Sequence, residues 1–356
     1  MDGGSNTTHH GSGRRAYIGS FTTGGGPGIV VADVDHDTGT LTPFAAVNGF
    51  DNPSCLALAP DGRVLYAVSD CDDGLAVAYR PTAGGLALLG RPVPVGGRGP
   101  THLCLTGNRL LTAHYASGSV SSLPLANDGS PAHSPSVLAH RGSGPDPDRQ
   151  SGPHAHQVLP DPSGRWVLSV DLGTDSVRVC SLDAGTGALR VHTETALRAG
   201  SGPRQLVFHP DGGVGYVVHE LVPQLTVCRW DPAAGRLTPV GEVPLGSPGA
   251  PDEVREYPSV GVVSRDGRFL WVAVRGTDLI VTLSLADGPE EPRLTDTTAC
   301  GGNWPRDLVV DPSGARLYVS NEWSGNVTWF EADPLTGRLQ RSGHVDVPAA
   351  ACVVLA

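Results

Sequence analysis

Charged side chains recur in this sequence at two kinds of position, directly after a proline that opens a short apolar run and at the end of the next apolar run. His154, Arg204 and Arg306 stand at the first kind of position, and Glu220 and Glu322 stand at the second. Imidazole, guanidinium and carboxylate groups transfer protons and stabilise developing negative charge. A fold that brings these positions together would form a polar site for a small molecule.

Several chemistries are excluded by composition. All 25 basic residues are arginine, so a lysine Schiff base and a phosphate-binding P-loop are both absent. The net charge of -11 disfavours nucleic acid as a partner. The seven cysteines are scattered without a Cys-x-x-Cys pair, which predicts reduced core thiols. Gly-x-Ser-x-Gly does not occur, which argues against a serine esterase.

The elements that position these residues come from a repeat. Each copy contains a proline, a short apolar strand, a turn of the Pro-Asp-Gly kind and a second strand. Successive copies are spaced 43 to 55 residues apart, and a second alternating pair of strands follows each hairpin. The copies begin at Pro53, Pro100, Pro153, Pro203, Pro258, Pro305 and Pro348. The 48 glycines and 31 prolines fit such a turn-rich β protein.

The repeat predicts an all-β fold, a seven-bladed β-propeller of four-stranded antiparallel blades. Residues 14–52 hold three strands and the last nine residues hold one, so the two ends together supply one closing blade. We expect residues 14–356 to form a single domain and residues 1–13 to be a disordered tail. No apolar run is long enough to span a membrane.

In a propeller the start of each inner strand and the end of the next strand meet at one mouth of the channel. Aligning the repeats therefore predicts a ring of side chains that is not the same from blade to blade, which indicates an asymmetric pocket with paired charges. The alternative is a set of solvated channel salt bridges. The ring consists of Ser54, Thr101, His154, Arg204, Ser259, Arg306 and Ala349, with Asp70, Tyr115, Asp171, Glu220, Arg275 and Glu322, and His114 precedes Tyr115.

Several motifs, and the order in which they follow one another, resemble those of the lactonase family of seven-bladed propellers. This family includes cycloisomerase-like 6-phosphogluconolactonases and is related to carboxymuconate cyclases. The resemblance begins at residue 15 and spans nearly the whole chain. The motifs are YIGSFT from Tyr17, GPDPDRQ from Gly144, GPHAHQ from Gly152, DLGTD from Asp171, GPR from Gly202, HEL from His219, RG from Arg275 and PRD from Pro305.

The resemblance implies hydrolysis of a sugar-acid lactone, with 6-phosphogluconolactone opened to 6-phosphogluconate as the expected reaction. It assigns the catalytic roles to His154, Arg204 and Glu220. Arg204 would stabilise the oxyanion, and either Glu220 or His154 would take a proton from water. This chain departs from the family's usual pattern at Gln205 and His114.

Five further residues are predicted to bind substrate: Arg275, Arg306, Asp171, Glu322 and His114. Arg306 and Arg275 are the expected phosphate ligands, and the alternative is that they pair with Glu322 or Asp171 for structure alone.

No metal or other cofactor is predicted. His154 and His156 share one face of a strand, but a third ligand at a fitting spacing is missing. Residues 127–152 are expected to form an ordered loop at the mouth, with Arg149 and Gln150 leading into the site. Trp304 and Trp323 either wall the pocket or pack between blades.

The expected partner is a small lactone in the cytoplasm, without nucleic acid or membrane. Two other functions remain open, a cyclase or hydrolase of carboxylated, muconate-type lactones and a propeller that binds a protein partner without catalysis.

Overall fold

A computed structural model describes residues 14–246 and 253–356, and the predicted tail 1–13 lies outside them. The strands of the first half are β1 (Arg15–Ser20), β2 (Ile29–Val34), β3 (Leu41–Val47), β4 (Pro53–Leu58), β5 (Leu65–Ser69), β6 (Leu75–Thr82), β7 (Gly85–Pro94), β8 (Pro100–Thr106), β9 (Arg109–His114), β10 (Ser119–Pro124), β11 (Ser136–Ala139), β12 (Ala155–Pro160), β13 (Val167–Asp171), β14 (Ser176–Leu182) and β15 (Leu189–Ala196).

The second half continues the same pattern. Its strands are β16 (Pro203–Phe208), β17 (Val214–His219), β18 (Gln224–Asp231), β19 (Arg236–Pro244), β20 (Tyr257–Val263), β21 (Phe269–Arg275), β22 (Leu279–Ser284), β23 (Arg293–Ala299), β24 (Pro305–Val310), β25 (Arg316–Asn321), β26 (Asn326–Ala332), β27 (Leu339–Asp346) and β28 (Ala350–Leu355). Two single 3-10 turns, Thr22–Gly24 and Leu172–Thr174, complete the regular elements of the described residues.

These strands form seven four-stranded antiparallel sheets, which confirms the predicted propeller. Blades 1 to 6 begin with β4, β8, β12, β16, β20 and β24, and each takes its four strands in chain order. Blade 7 has the order β28-β1-β2-β3, so the C-terminal strand is its inner strand. The inner strand β28 contacts both β4 and β24, and the ring is thereby closed by the two ends of the chain, as predicted.

One expectation about the loop 127–152 was wrong. The segment contains β11, a four-residue strand that pairs with β10 as the outer strand of blade 2. The alternation signal is weak because half of this short strand is exposed and its flanks are rich in proline, serine and glycine. The irregular part that reaches the mouth is therefore shorter, residues 140–152.

The apolar core is divided among the seven interfaces between neighbouring blades. Each interface has its own cluster of buried side chains drawn from the facing surfaces of two sheets. Between blades 7 and 1, for example, Tyr17, Ile29 and Val31 pack against Leu65 and Val77. A single sheet cannot bury both of its faces, so each blade depends on both neighbours.

Every blade also carries a β-bulge at the same place, where the inner strand starts and the second strand ends. The register between these two strands shifts by one residue in all seven sheets. A bulge turns side chains out of the regular alternation and frees backbone groups from the ladder. The bulged residues, which face the channel, are Ser54, Thr101, His156, Arg204, Ser259–Val260, Arg306 and Ala351.

Backbone N–H groups on the channel edge of the inner strands, where no further strand pairs, are satisfied by the neighbouring blade. The side-chain oxygen of Gln157 accepts a hydrogen bond from the Leu206 N–H at 2.7 Å, and that of Gln205 accepts one from Gly261 at 2.6 Å. In the same position of blade 6, Asp307 accepts from the Val353 N–H at 3.0 Å. The inner strands are thus joined around the channel by hydrogen bonds between blades.

We predict that a core leucine at the closing interface is critical for stability. Leu65→Ala removes a fully buried side chain between blades 7 and 1 and should lower the free energy of unfolding by about 2–5 kcal/mol. The matched control is Leu335→Ala, because Leu335 is 80% exposed and its loss should change stability by less than about 0.5 kcal/mol. Urea unfolding measures both variants, and equal effects would contradict this division of the core.

Candidate active site

The bulges determine which predicted residues reach the channel. Arg204 and Arg306 are bulged residues of blades 4 and 6, so both line the channel. In blade 3 the bulged residue is His156, whereas His154 lies before the strand begins. The predicted alignment was therefore two residues out of register at His154.

The error has a structural cause. In blades 4 and 6 the repeat proline is the first residue of the inner strand. In blades 3 and 7 the proline stands two residues earlier, and the strands start at Ala155 and Ala350. The predicted ring residue Ala349 is displaced for the same reason, and Ala351 takes its place at the bulge.

Asp171 does not line the channel, contrary to its predicted place in the ring. Its side chain is fully buried, with Oδ2 2.6 Å from His140 Nδ1 and 3.2 Å from Arg178 Nη1. The residue of blade 3 that is equivalent to Glu220 is Leu172, because both follow the last ladder pair of their blades. The carboxylate of Asp171 is occupied by His140 and Arg178, and this geometry does not support a contact with substrate.

His114 is also turned away from the channel. Its ring is 0% exposed and is hydrogen-bonded to Thr112 Oγ1 at 2.7 Å and Ser119 Oγ at 2.8 Å. Burial lowers the pKa of His114 to about 3, so the ring is neutral. Successive side chains of a strand point to opposite faces, which leaves the next residue, Tyr115, at the mouth. Contact between His114 and substrate is therefore not supported.

Glu220 is the centre of the site. Its Oε1 is 2.5 Å from the guanidinium of Arg149, and its Oε2 is 2.8 Å from that of Arg275 and 3.0 Å from Nε of Arg204. The backbone N–H of Glu220 donates to the Gly202 carbonyl at 2.7 Å, which fixes the carboxylate at the end of β17. We call these four side chains the Glu220 cluster.

Three of the four side chains of the Glu220 cluster are almost entirely buried. Glu220, Arg204 and Arg275 are 5%, 7% and 5% exposed. Burial alone would raise the pKa of Glu220, but the charges of Arg275 and Arg204 hold it well below its usual range. Burial and the nearby Arg275 lower the pKa of Arg204 to about 9, so Arg204 remains charged at neutral pH.

Two histidines beside the Glu220 cluster, His154 and His156, both contact the ring of Tyr115. The ring of His154 stacks on Tyr115 with centroids 4.4 Å apart, and its Nδ1 is 2.8 Å from the Tyr115 carbonyl oxygen. The ring of His156 meets Tyr115 edge-on at 5.9 Å and lines the channel. Burial, followed by the charge of Arg204, lowers the pKa of His156 well below 6.5, so this imidazole is neutral at pH 7.

A second charged group faces the Glu220 cluster from blade 6. Arg306 Nη1 donates to Glu322 at 3.1 Å, and Nη2 lies 4.0 Å from Asp70 of blade 1. The Arg306 guanidinium also stacks on the ring of Phe21, 4.6 Å from its centroid. About a fifth of each charged side chain remains exposed, so this group is more open than the Glu220 cluster.

The bulged residues surround a cavity of about 250 Å³ in the channel. His156, Arg204 and Arg306 contribute to its wall, together with Gln157 and Asp307 one residue after the bulges. Both groups of residues point inward because the bulge places two consecutive side chains on the channel side. A polar cavity of this size suits a small molecule.

Arg149 is a member of the site that the ring alignment missed. It lies on the loop 140–152 and not on a strand, so no repeat position marks it. The available signal was the prediction that this loop, with Arg149 and Gln150, leads into the site. Loop residues of this kind often carry function because a rigid scaffold positions them.

Trp304 and Trp323 form a stack on the rim of the mouth. Their ring centroids are 3.7 Å apart, and the Arg275 guanidinium lies 5.2 Å from the Trp304 centroid. Trp304 therefore packs against the Glu220 cluster, and Trp323 is 62% exposed beside it. The pair contacts the site from the side of blades 5 and 6.

Within residues 14–246 and 253–356, no group of three or more histidine, cysteine, aspartate or glutamate side chains is arranged to hold a metal ion. The same residues contain no helix long and apolar enough to cross a membrane.

A closed seven-bladed propeller with a buried carboxylate, three guanidiniums and a neutral imidazole at one mouth forms an enclosed, charged site that suits a small molecule. The family is defined by sequence comparison. The model of the seven-bladed β-propeller lactonases matches residues 15–355, and the chain belongs to this family of lactone hydrolases.

Individual relatives agree over nearly the full length. A 6-phosphogluconolactonase of Bacillus subtilis is 32% identical over 345 residues, with 95% of this chain and 97% of the relative covered. A 6-phosphogluconolactonase of Formosa agariphila is 30% identical, with 91% and 94% covered. The solved structure of a periplasmic gluconolactonase of Pseudomonas aeruginosa superposes with a TM-score of 0.90 at 29% identity, with 96% and 98% covered.

We predict that Glu220 is the residue that makes this concentration of buried positive charge compatible with folding. Glu220→Gln leaves three guanidiniums without their shared carboxylate and should lower the free energy of unfolding by about 3–5 kcal/mol. Glu331→Gln is the control, because the Glu331 side chain is 57% exposed and its replacement should cost less than about 0.5 kcal/mol. Urea unfolding at pH 7 compares them.

The difference should depend on pH with a defined sign. Since the pKa of Glu220 is depressed in the folded protein, its contribution is complete above 4.5, the ordinary value, and is lost as the pH falls below it. The gap between wild type and Glu220→Gln should therefore be constant between pH 6 and 8 and shrink in acid. A gap that grows as the pH falls would contradict the depressed pKa.

Proposed function

We propose that this protein hydrolyses the lactone of a phosphorylated sugar acid, 6-phosphogluconolactone, to 6-phosphogluconate. The observation that carries the proposal is the Glu220 cluster, where three guanidiniums converge on a single carboxylate. Two positive charges are left without a partner in the cluster. A phosphate monoester carries about -1.5 to -2 charges at pH 7, which complements this excess.

Names of relatives support the same substrate. Two curated relatives that align over nearly their whole length are called 6-phosphogluconolactonases. The periplasmic gluconolactonase of Pseudomonas aeruginosa has the same fold and supports lactone opening as the common chemistry. The phosphate on the substrate is the part of the proposal that rests on the charge of the Glu220 cluster.

In the proposed reaction, His156 acts as the general base. It is neutral and faces the cavity, whereas both oxygens of Glu220 are held by guanidiniums and its pKa is depressed. Water gives a proton to His156 and attacks the lactone carbonyl carbon, and Arg204 stabilises the oxyanion. The charge of Glu220 stabilises the imidazolium that forms.

The second half of the reaction returns the proton. The bond between the carbonyl carbon and the ring oxygen breaks, and protonated His156 donates its proton to the departing ring oxygen. The product is the open-chain acid, which ionises to a carboxylate in water. His154, the residue named from the family resemblance, would then position Tyr115 by stacking and by its hydrogen bond to the Tyr115 backbone.

Arg306 and Glu322 would bind the hydroxyl groups of the sugar. Arg306 is already balanced by Glu322 and Asp70, so it lacks the excess charge that favours a dianion. A mixed set of donors and acceptors that remains partly open is suited to hydroxyls, which both donate and accept. We therefore assign the phosphate to Arg149 and Arg275 of the Glu220 cluster, which leaves Arg204 for the oxyanion, and the hydroxyls to the blade 6 side.

The proposed setting is the oxidative pentose phosphate route in the cytoplasm. All seven cysteines lie in the described residues and are unpaired, which agrees with a reducing compartment.

The substrate is tested by comparing 6-phosphogluconolactone with unphosphorylated gluconolactone. Freshly prepared lactones are followed by acid release, and the spontaneous rate without protein is subtracted. The expected result is a higher kcat/KM for the phosphorylated lactone. Equal values would remove the phosphate from the proposal, and no rate above the spontaneous one for either lactone would overturn it entirely.

The assignment of the base gives a separate prediction. His156→Gln should lower kcat about 10²- to 10⁴-fold, the range for loss of a general base, whereas His154→Gln should lower it less than about tenfold. The acid limb of the wild-type pH profile should lie below 6.5, because activity is lost only when the pH falls through the lowered pKa of His156. The reverse order of the two variants would restore the role to His154.

A further inference from the structure

The three guanidiniums on Glu220 are held in different ways. Arg204 and Arg275 come from inner and second strands and are buried, and both also donate to backbone carbonyls, those of Ser259 and Tyr257. Arg149 comes from the loop 140–152, and its side chain is 33% exposed. Its guanidinium bonds only to side chains within the described residues, Glu220 and the Tyr115 hydroxyl at 3.1 Å.

The backbone that carries Arg149 is firmly anchored. Gln150 is fully buried, and its Nε2 donates to the Leu172 carbonyl and to Asp175, both at 2.8 Å. On the other side, Asp146 accepts from the Arg149 N–H at 3.0 Å and its carbonyl accepts from the Gln150 N–H at 2.8 Å. A change at Arg149 would therefore be confined to its long side chain, whose rotamers interconvert rapidly when exposed.

The contact between Arg149 and Glu220 has a chemical consequence. The guanidinium of Arg149 lies on Oε1, and its positive charge offsets the carboxylate charge that would stabilise the imidazolium expected on His156. A guanidinium binds phosphate oxygens in the same forked manner as carboxylate oxygens. A phosphate that enters the mouth therefore competes with Glu220 for Arg149.

We propose that Arg149 is an exchangeable clamp, whose guanidinium transfers from Glu220 to the anionic group of the substrate and thereby frees Glu220 to support the base. The inference rests on the proposed function, because it assigns a role to the substrate phosphate. The phosphate then provides more than affinity. It stabilises the active arrangement of the site relative to the clamped one, which is the difference in interaction that a shift of population requires.

Specificity would consequently appear in kcat as well as in KM. A neutral lactone can enter the cavity but leaves Arg149 on Glu220. The carboxylate then stays paired with Arg149 while this substrate is bound. When a phosphorylated lactone binds, Arg149 moves from Glu220 to the phosphate, and the carboxylate is freed. Binding energy from a part of the substrate that does not react is thus used in the chemical step.

The test uses the full chain. For each protein we measure the rate of hydrolysis of 6-phosphogluconolactone, of gluconolactone, and of gluconolactone with added inorganic phosphite. The spontaneous rate with phosphite alone is measured without protein. The variants are Arg149→Gln, Arg149→Lys and the control Arg98→Gln. Arg98 is another exposed arginine, 61% exposed, that bonds to the Ala116 carbonyl and does not contact Glu220. Thermal unfolding of each variant establishes that it is folded.

For wild type and Arg98→Gln we expect phosphite to accelerate gluconolactone hydrolysis. For Arg149→Gln the kcat for gluconolactone should rise without phosphite and show no activation by it. Its kcat/KM for the phosphorylated lactone should fall about 10- to 100-fold, the loss of one charge-assisted hydrogen bond. Arg149→Lys, which keeps the charge but not the fork, should retain part of the phosphite activation.

Two results would overturn the clamp while leaving the proposed function intact. The first is an unchanged preference for the phosphorylated lactone in Arg149→Gln. The second is a fall in kcat for gluconolactone in that variant, because it would mean that Arg149 supports the chemistry directly. A wild-type protein that hydrolyses neither lactone would instead refute the proposed function.

Discussion

The β-bulge at the start of every inner strand is the constraint on which the rest of the structure depends. Each inner strand leaves one edge unpaired along the channel, and buried backbone groups must be paired. The neighbouring blade supplies the partners through side chains such as Gln157 and Gln205. The bulge turns consecutive side chains into the channel, so the side chains that join the blades and those that form the wall of the cavity lie on the same surface.

The chemistry of the site follows from what is placed on this wall. The bulge of blade 4 places Arg204 in a buried position. Its charge is tolerated there because it pairs with the carboxylate of Glu220, at the end of the adjacent strand. Arg275 is added by the next blade and Arg149 by a loop from blade 2 to blade 3. Buried charges that exceed their counter-charge are costly in a protein without a ligand. The phosphate of the proposed substrate would remove that cost.

The fold could be predicted from the sequence because it depends on spacing alone. A unit that recurs every 43 to 55 residues, with the closing unit divided between the two ends, permits few other arrangements. The repeat proline is the first or second residue of the inner strand in blades 4, 5 and 6. Its position therefore sufficed to place Arg204, Arg306, Glu220, Arg275 and Glu322 at the mouth. These positions required only the correct register.

The remaining features depend on details that the repeat does not encode. The predicted register is wrong in blade 3, because Pro153 precedes the strand by two residues. The prediction places His154 and Asp171 at ring positions that His156 and Leu172 occupy. Arg149 belongs to no repeat position, and its contact with Glu220 depends on the path of an irregular loop. The depressed pKa of Glu220 likewise arises from charges contributed by separate segments, which spacing along the chain does not reveal.

The most direct measurement of the central claim is a crystal structure of the protein with bound 6-phosphogluconate. The account predicts that the sugar acid lies in the channel cavity, with its carboxylate within hydrogen-bond distance of Arg204 and near His156, and with its phosphate at Arg149 and Arg275. A sugar acid bound at the opposite end of the channel, or on the outer surface of the blades, would contradict the account.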